Sequence, residues 1–166
     1  IQNKKQINVF ADPQTFKYLN KNFSYCFDSF NNEYPATLKL NNINKNLFIK
    51  DKKKIIRIKP ITVQHGKVQS ICYLIKNKLA YISDVSEIYK KDFRYFMNLK
   101  YLVIDCLWYK NHPSHFNLKK SLEMIKIFSP KRAILTNLHT DIDYDKIKKF
   151  LPKNVVPAYD GMTVNL

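Results

Sequence analysis

Five residues, Tyr101-Leu102-Val103-Ile104-Asp105, constrain the fold of this chain more than any other stretch. Four apolar positions with no polar alternation describe a strand covered on both faces, and parallel sheets are where such strands occur. The closing carboxylate sits at the strand end where α/β proteins place ligands and reactive groups. The apolar run over 71–82 reads the same way: strands over 70–75 and 79–82, joined by the turn Lys76-Asn77-Lys78 and leaving through Ser83-Asp84. A third strand, over 133–135, releases a polar segment that holds His139, Asp141 and Asp143. Helix-period spacing lies between these strands. One helix is expected over 87–97 with Ser86 as its cap, and another follows Asn117 through Leu118, Leu122, Ile125 and Phe128. Strands alternating with helices imply a mixed sheet covered by helices.

The first half is richer in hairpins. A short strand over 7–10 runs into Asp12, which caps a helix over 13–22 that starts on Pro13 and turns Phe16 and Leu19 inward. Residues 22–27 alternate apolar and polar before an asparagine-rich loop at Asn31-Asn32. Strands around Leu38-Leu40, over 47–49 and over 55–58 are separated by polar turns at 41–46 and 50–54. After Pro60 a new strand over 61–64 delivers His65-Gly66. At the far end, Ile147 and Phe150-Leu151 give a helix stopped by Pro152, and strands over 155–156 and 162–164 flank a turn at Gly161. With no linker and no repeat, residues 1–166 read as a single domain.

The chain carries a net charge of +16, almost all of it from lysine, since only Arg57, Arg94 and Arg132 are arginines. Scattered lysine lacks the bidentate forks that read phosphates specifically, so it favours an anionic small substrate over nucleic acid, which is possible but not favoured. Cys26, Cys72 and Cys106 are odd in number, lack a C-x-x-C and sit among apolar residues. They read as reduced, buried thiols of a cytoplasmic protein. No run approaches the ~20 apolar residues of a membrane span, and residues 1–6 are no signal peptide. A homodimer is compatible with all of this.

All four histidines, His65, His112, His115 and His139, fall at strand ends or in connectors, among the carboxylates Asp84, Asp105, Asp141 and Asp143. Imidazole with carboxylate is the ligand set of zinc, iron or manganese hydrolytic centres. A glycine-rich phosphate loop, G-x-S-x-G and H-E-x-x-H are all absent.

The ordered set His65-Gly66, Tyr81-Ile82-Ser83-Asp84-Val85-Ser86, His112-Pro113-Ser114-His115-Phe116, Leu135-Thr136-Asn137-Leu138-His139-Thr140-Asp141-Ile142-Asp143-Tyr144 and Ala158-Tyr159-Asp160-Gly161-Met162 resembles the metallo-β-lactamase superfamily. Within it, the set is similar to the phosphodiesterase-type branch that includes the phosphoribosyl cyclic phosphodiesterase of phosphonate breakdown. The resemblance implies an αβ/βα sandwich with two divalent metal ions, Zn or Mn, at the sheet edge. It implies Asp84 as the carboxylate bridging both metals, His65 as a ligand of one and His139 of the other. His115, with His112 in reserve, is implied as a phosphate contact or proton donor. The implied reaction is metal-dependent hydrolysis of a small phosphodiester, cyclic or nucleotide-like. A tRNA-processing nuclease of the same superfamily and a non-catalytic binding module are the alternatives. The family's H-x-H-x-D-H loop is not in the chain and is expected upstream of Ile1. The chain is therefore expected to be the C-terminal portion of such a domain, incomplete at its N-terminus and inactive by itself.

Overall fold

The computed structural model describes residues 6–28, 35–43, 46–51 and 54–166. The chain divides into two compact units, residues 1–47 and 48–166, each described by itself. In the first, β1 (Ile7–Ala11) pairs in parallel with β2 (Leu38–Asn42), Ile7 opposite Leu38. Asp12 ends β1 and caps α1 (Pro13–Asn22), accepting from the backbone N–H groups of Gln14 at 2.9 Å and Thr15 at 3.1 Å. A one-turn helix, α2 (Ser24–Phe27), then replaces the alternation read over 22–27. The expected loop at Asn31-Asn32 and the tips of the turns at 44–45 and 52–53 lie outside the described residues.

The second unit is built on a seven-stranded sheet in chain order: β3 (Leu47–Asp51), β4 (Lys54–His65), β5 (Val68–Ile75), β6 (Leu79–Ile82), β7 (Tyr101–Asp105), β8 (Arg132–Thr136) and β9 (Val155–Pro157). From β4 to β6 the pairing is antiparallel, and from β6 to β9 it is parallel. The switch follows from the connections. Lys76 and Asn77, both at positive φ, form the tight turn between β5 and β6. The parallel pairs are instead joined by crossovers carrying a 3₁₀ helix (Lys90–Tyr95), α3 (Leu118–Phe128) and α4 (Tyr144–Phe150).

Period-two burial makes one face of this sheet the core. Val63, Cys72, Ala80, Ile82, Leu102, Ile104, Ala133 and Leu135 face helix residues Met124, Ile125, Phe128 and Ile147. Phe128 anchors the layer, with the rings of Phe93 and Phe96 at 5.1 and 5.4 Å.

Four expectations are corrected here. The strands read over 55–58 and 61–64 are one, β4, which runs through Pro60 opposite Tyr73. Proline forfeits a ladder hydrogen bond, but its fixed φ suits an extended strand. The helix read over 87–97 is only the 3₁₀ turn, because Ser86 and Glu87 bond back to Gln64 through their N–H groups, at 2.7 and 3.3 Å. The strand read over 162–164 is not formed. Cys26 is half-buried, whereas Cys72 and Cys106 are buried; all three are free thiols. No helix among the described residues is long and apolar enough to cross a membrane.

Candidate metal centre

His65 is the last residue of β4, and the backbone turns at once on Gly66, whose φ is +60°. A Cβ at Gly66 would stand 2.9 Å from the Cβ of Ser114. Glycine thus lets the loop of His112 and His115 close onto the strand end. That closure places the Ser114 carbonyl 2.8 Å from His65 Nδ1. A carbonyl only accepts, so Nδ1 carries the proton and Nε2 keeps its lone pair.

His115 is held in the same way by a different partner. Its Nδ1 lies 2.8 Å from Oδ2 of Asp105, which is fully buried at the end of β7. The same carboxylate oxygen accepts from the N–H groups of Val85 at 3.1 Å and Phe116 at 3.3 Å, while Asn137 Nδ2 reaches Oδ1 at 3.2 Å. Burial pushes the Asp105 carboxyl above the usual range, against the pull of the bonds from Val85, His115 and Asn137. Carboxylate behind imidazole is the arrangement that orients metal-binding histidines.

Asp84 leaves the neighbouring strand, β6, two residues beyond its end, and is exposed. The Ser83 hydroxyl donates to its Oδ2 at 2.7 Å. Ligand atoms of His65, Asp84 and His115 lie within 4.8 Å of one another. The rings of His65 and His115 meet edge to face at 4.6 Å. Three strand ends therefore converge: β4 brings His65, β6 brings Asp84, and its neighbour β7 brings the carboxylate that aims His115.

His139 is not among these three donors. Its ring rests on the Trp108 indole at 5.2 Å, and its Nδ1 accepts from the Asp141 N–H at 3.2 Å. The neutral ring then carries its proton on Nε2, the opposite tautomer to His65. His112 is exposed, its ring 5.2 Å from that of His115. Asp105 and Asn137 were the partners that spacing alone did not assign. The signal for Asp105 was present in the apolar run that ends on a carboxylate.

The family profile described as Beta-lactamase superfamily domain matches residues 1–137. The chain belongs to that superfamily. No curated protein matches it in sequence. Among solved structures it is similar to a diphosphatase of the PhnP family, with a TM-score of 0.84 and 22% identity over 100% of this chain and 61% of that one. It is similar to zinc-bound PqqB from Methylobacterium extorquens (TM-score 0.73, 13% identity, 98% of this chain and 66% of that one). Human tRNase Z, short form, is a third (TM-score 0.63, 12% identity, 98% and 67%). The chain thus has the metallo-β-lactamase fold and spans less than two thirds of the first two of these structures.

Proposed function

We propose that this superfamily member holds part of the metal centre of a phosphodiester hydrolase. One observation carries the reading: two imidazoles and a carboxylate from separate strand ends have their ligand atoms within 4.8 Å of one another. Both imidazoles are bonded through Nδ1, which leaves Nε2 free. Neutral imidazole with carboxylate suits Zn or Mn. His65 and Asp84 would hold the metal, with Asp84 shared with a second ion; His139 is not assigned to either, since its Nδ1 is taken by the Asp141 N–H. When bound, such a pair supplies Lewis acidity and a water of lowered pKa.

The remaining chemistry belongs to the chain. Asp105 holds the Nδ1–H of His115 and fixes its ring, so that Nε2 is the atom that exchanges a proton with the leaving oxygen. His112 stands behind it as a further contact for substrate oxygen. The PhnP-family diphosphatase and the tRNase Z among the structural neighbours support phosphoester chemistry, and the net charge of +16 keeps an RNA substrate as the second reading.

The test has two parts. In this chain, cobalt(II) is expected to give a visible absorption band that is lost in Asp84→Ala and His65→Ala. In the full-length protein, metal-dependent hydrolysis of bis(p-nitrophenyl) phosphate is expected to fall at least ~100-fold in Asp84→Ala, a loss of about 2.7 kcal/mol of transition-state stabilisation. Activity that survives the substitution would sink the proposal. RNA binding that weakens steeply with salt would favour the second reading.

A further inference from the structure

In the sheet β5 lies between β4 and β6, so the strands that end near His65 and Asp84 stand two strand spacings apart, about 10 Å. Their ligand atoms nevertheless lie within 4.8 Å of each other. The chain leaving β6 closes this gap by passing over the start of β5, where the Ser70 hydroxyl donates to the Asp84 carbonyl. It then forms an antiparallel bridge between Glu87 and Gln64, the residue before His65. Gln64 gives its N–H to the Glu87 carbonyl at 3.0 Å, and its own carbonyl accepts from the Ser86 N–H at 2.7 Å. One side chain on this segment reaches further than the backbone does. The half-buried Ser86 hydroxyl accepts from the Gly66 N–H at 2.9 Å and donates to the Gln64 carbonyl at 3.2 Å. A single hydroxyl, two residues beyond Asp84, thus grips the residues on both sides of His65.

We infer that Ser86 is a positioning residue of the metal centre, its hydroxyl setting the separation of the His65 and Asp84 donors. The inference rests on the metal-centre reading. The hydroxyl spends its one proton on Gln64 and has lone pairs left for Gly66. With both bonds made, the peptide group joining His65 to Gly66 is held against rotation. Gly66, at φ +60°, has no Cβ to restrict that rotation, so the bond from its N–H supplies the restraint that the residue lacks. The Ser114 carbonyl fixes the His65 ring from its far side, at Nδ1, but does not tie it to Asp84. Ser86→Ala leaves the backbone bridge at Gln64 in place and removes only the grip across His65. Partners of this kind, one shell behind the ligands, are worth about 10- to 100-fold in metal affinity.

The test is cobalt(II) titration of this chain, together with amide hydrogen exchange of the metal-free form labelled with nitrogen-15 at glycine. Gly66 and Gly161 are the only glycines, so each amide is read separately. In Ser86→Ala, exchange at Gly66 is expected to quicken at least ~10-fold while Gly161 is unchanged. Cobalt affinity is expected to fall ~10–100-fold in the same variant. Ser86→Thr keeps the hydroxyl and is expected to restore both. Ile147→Val trims a buried methylene from α4, lowers stability and is expected to leave cobalt affinity unchanged. Unchanged affinity in Ser86→Ala despite faster exchange at Gly66 would overturn the inference. Equal weakening by Ile147→Val would also overturn it, since a general loss of stability would then be the cause. A wild-type chain that binds no cobalt would sink the metal-centre reading itself. Cobalt binding that follows these expectations, in a full-length protein that cleaves no phosphodiester, would sink the hydrolase reading and leave Ser86 in its role.

Discussion

Asp105 is the side chain whose removal tests the site and the fold together. It is fully buried and accepts from His115 at 2.8 Å, Val85 N at 3.1 Å, Asn137 Nδ2 at 3.2 Å and Phe116 N at 3.3 Å. In Asp105→Ala the N–H groups of Val85 and Phe116, themselves buried, lose their acceptor. Each orphaned donor costs about 1–3 kcal/mol, so the expected destabilisation is about 3–5 kcal/mol, at the high end for single substitutions. Asp105→Asn separates the two roles. Its oxygen can still serve Val85, Phe116 and His115, but its NH₂ group then faces the NH₂ of Asn137. Loss of that one bond costs about 1–2 kcal/mol, offset in part because a buried charge is no longer needed. Stability is read from urea unfolding and metal affinity from cobalt titration. Both variants are expected to weaken the metal by ~10–100-fold, because a lost or weaker bond from His115 loosens the loop whose Ser114 carbonyl orients the metal-holding His65. An Asp105→Ala protein less than about 1 kcal/mol destabilised, or an Asp105→Asn protein with unchanged metal affinity, would refute the reasoning.

Three further outcomes follow from the same geometry. Gly66→Ala imposes a Cβ at φ +60° and 2.9 Å from Ser114 Cβ; strain of about 1–2 kcal/mol plus the clash should lower Tm and weaken metal binding together, and a change in only one would count against the coupling. Asp12→Ala removes the α1 cap and should cost about 0.5–2 kcal/mol near neutral pH. Although burial raises the Asp12 carboxyl, its bonds from Thr15 and Gln14 win and hold it below the usual value. Its contribution is therefore present above the unfolded-state value of about 3.9 and disappears as pH falls through the lower folded one, so wild type and variant should converge in acid unfolding curves. Burial pushes the Cys72 and Cys106 thiols up to about 12. Ellman's reagent near about pH 8 should then find Cys26 alone in the native chain and all three thiols in urea; native reaction at all three would contradict the burial of the sheet core.

What the sequence by itself determined is the set of elements whose signal is local. The strands Leu79–Ile82 and Tyr101–Asp105 declare themselves by apolar runs, and α1 and α3 by their Asp12 and Asn117 caps. Each needs only its own neighbours to form. The same holds for Asp84 at a strand exit and for Gly66 after His65, where the backbone requirement is written in one residue. Long-range pairing decided the rest. Ser86 looks like a helix cap until β4 is alongside it, and Gln64 then takes its N–H. Pro60 looks like a strand break until Tyr73 is in register with it. His115 and His139 are alike in sequence, each in a connector after a buried strand. Only the tertiary structure gives one the Asp105 carboxylate and the other the Trp108 indole, and so brings His115 beside His65 and Asp84. The partner that orients a histidine is a choice among groups distant in sequence, and packing makes that choice.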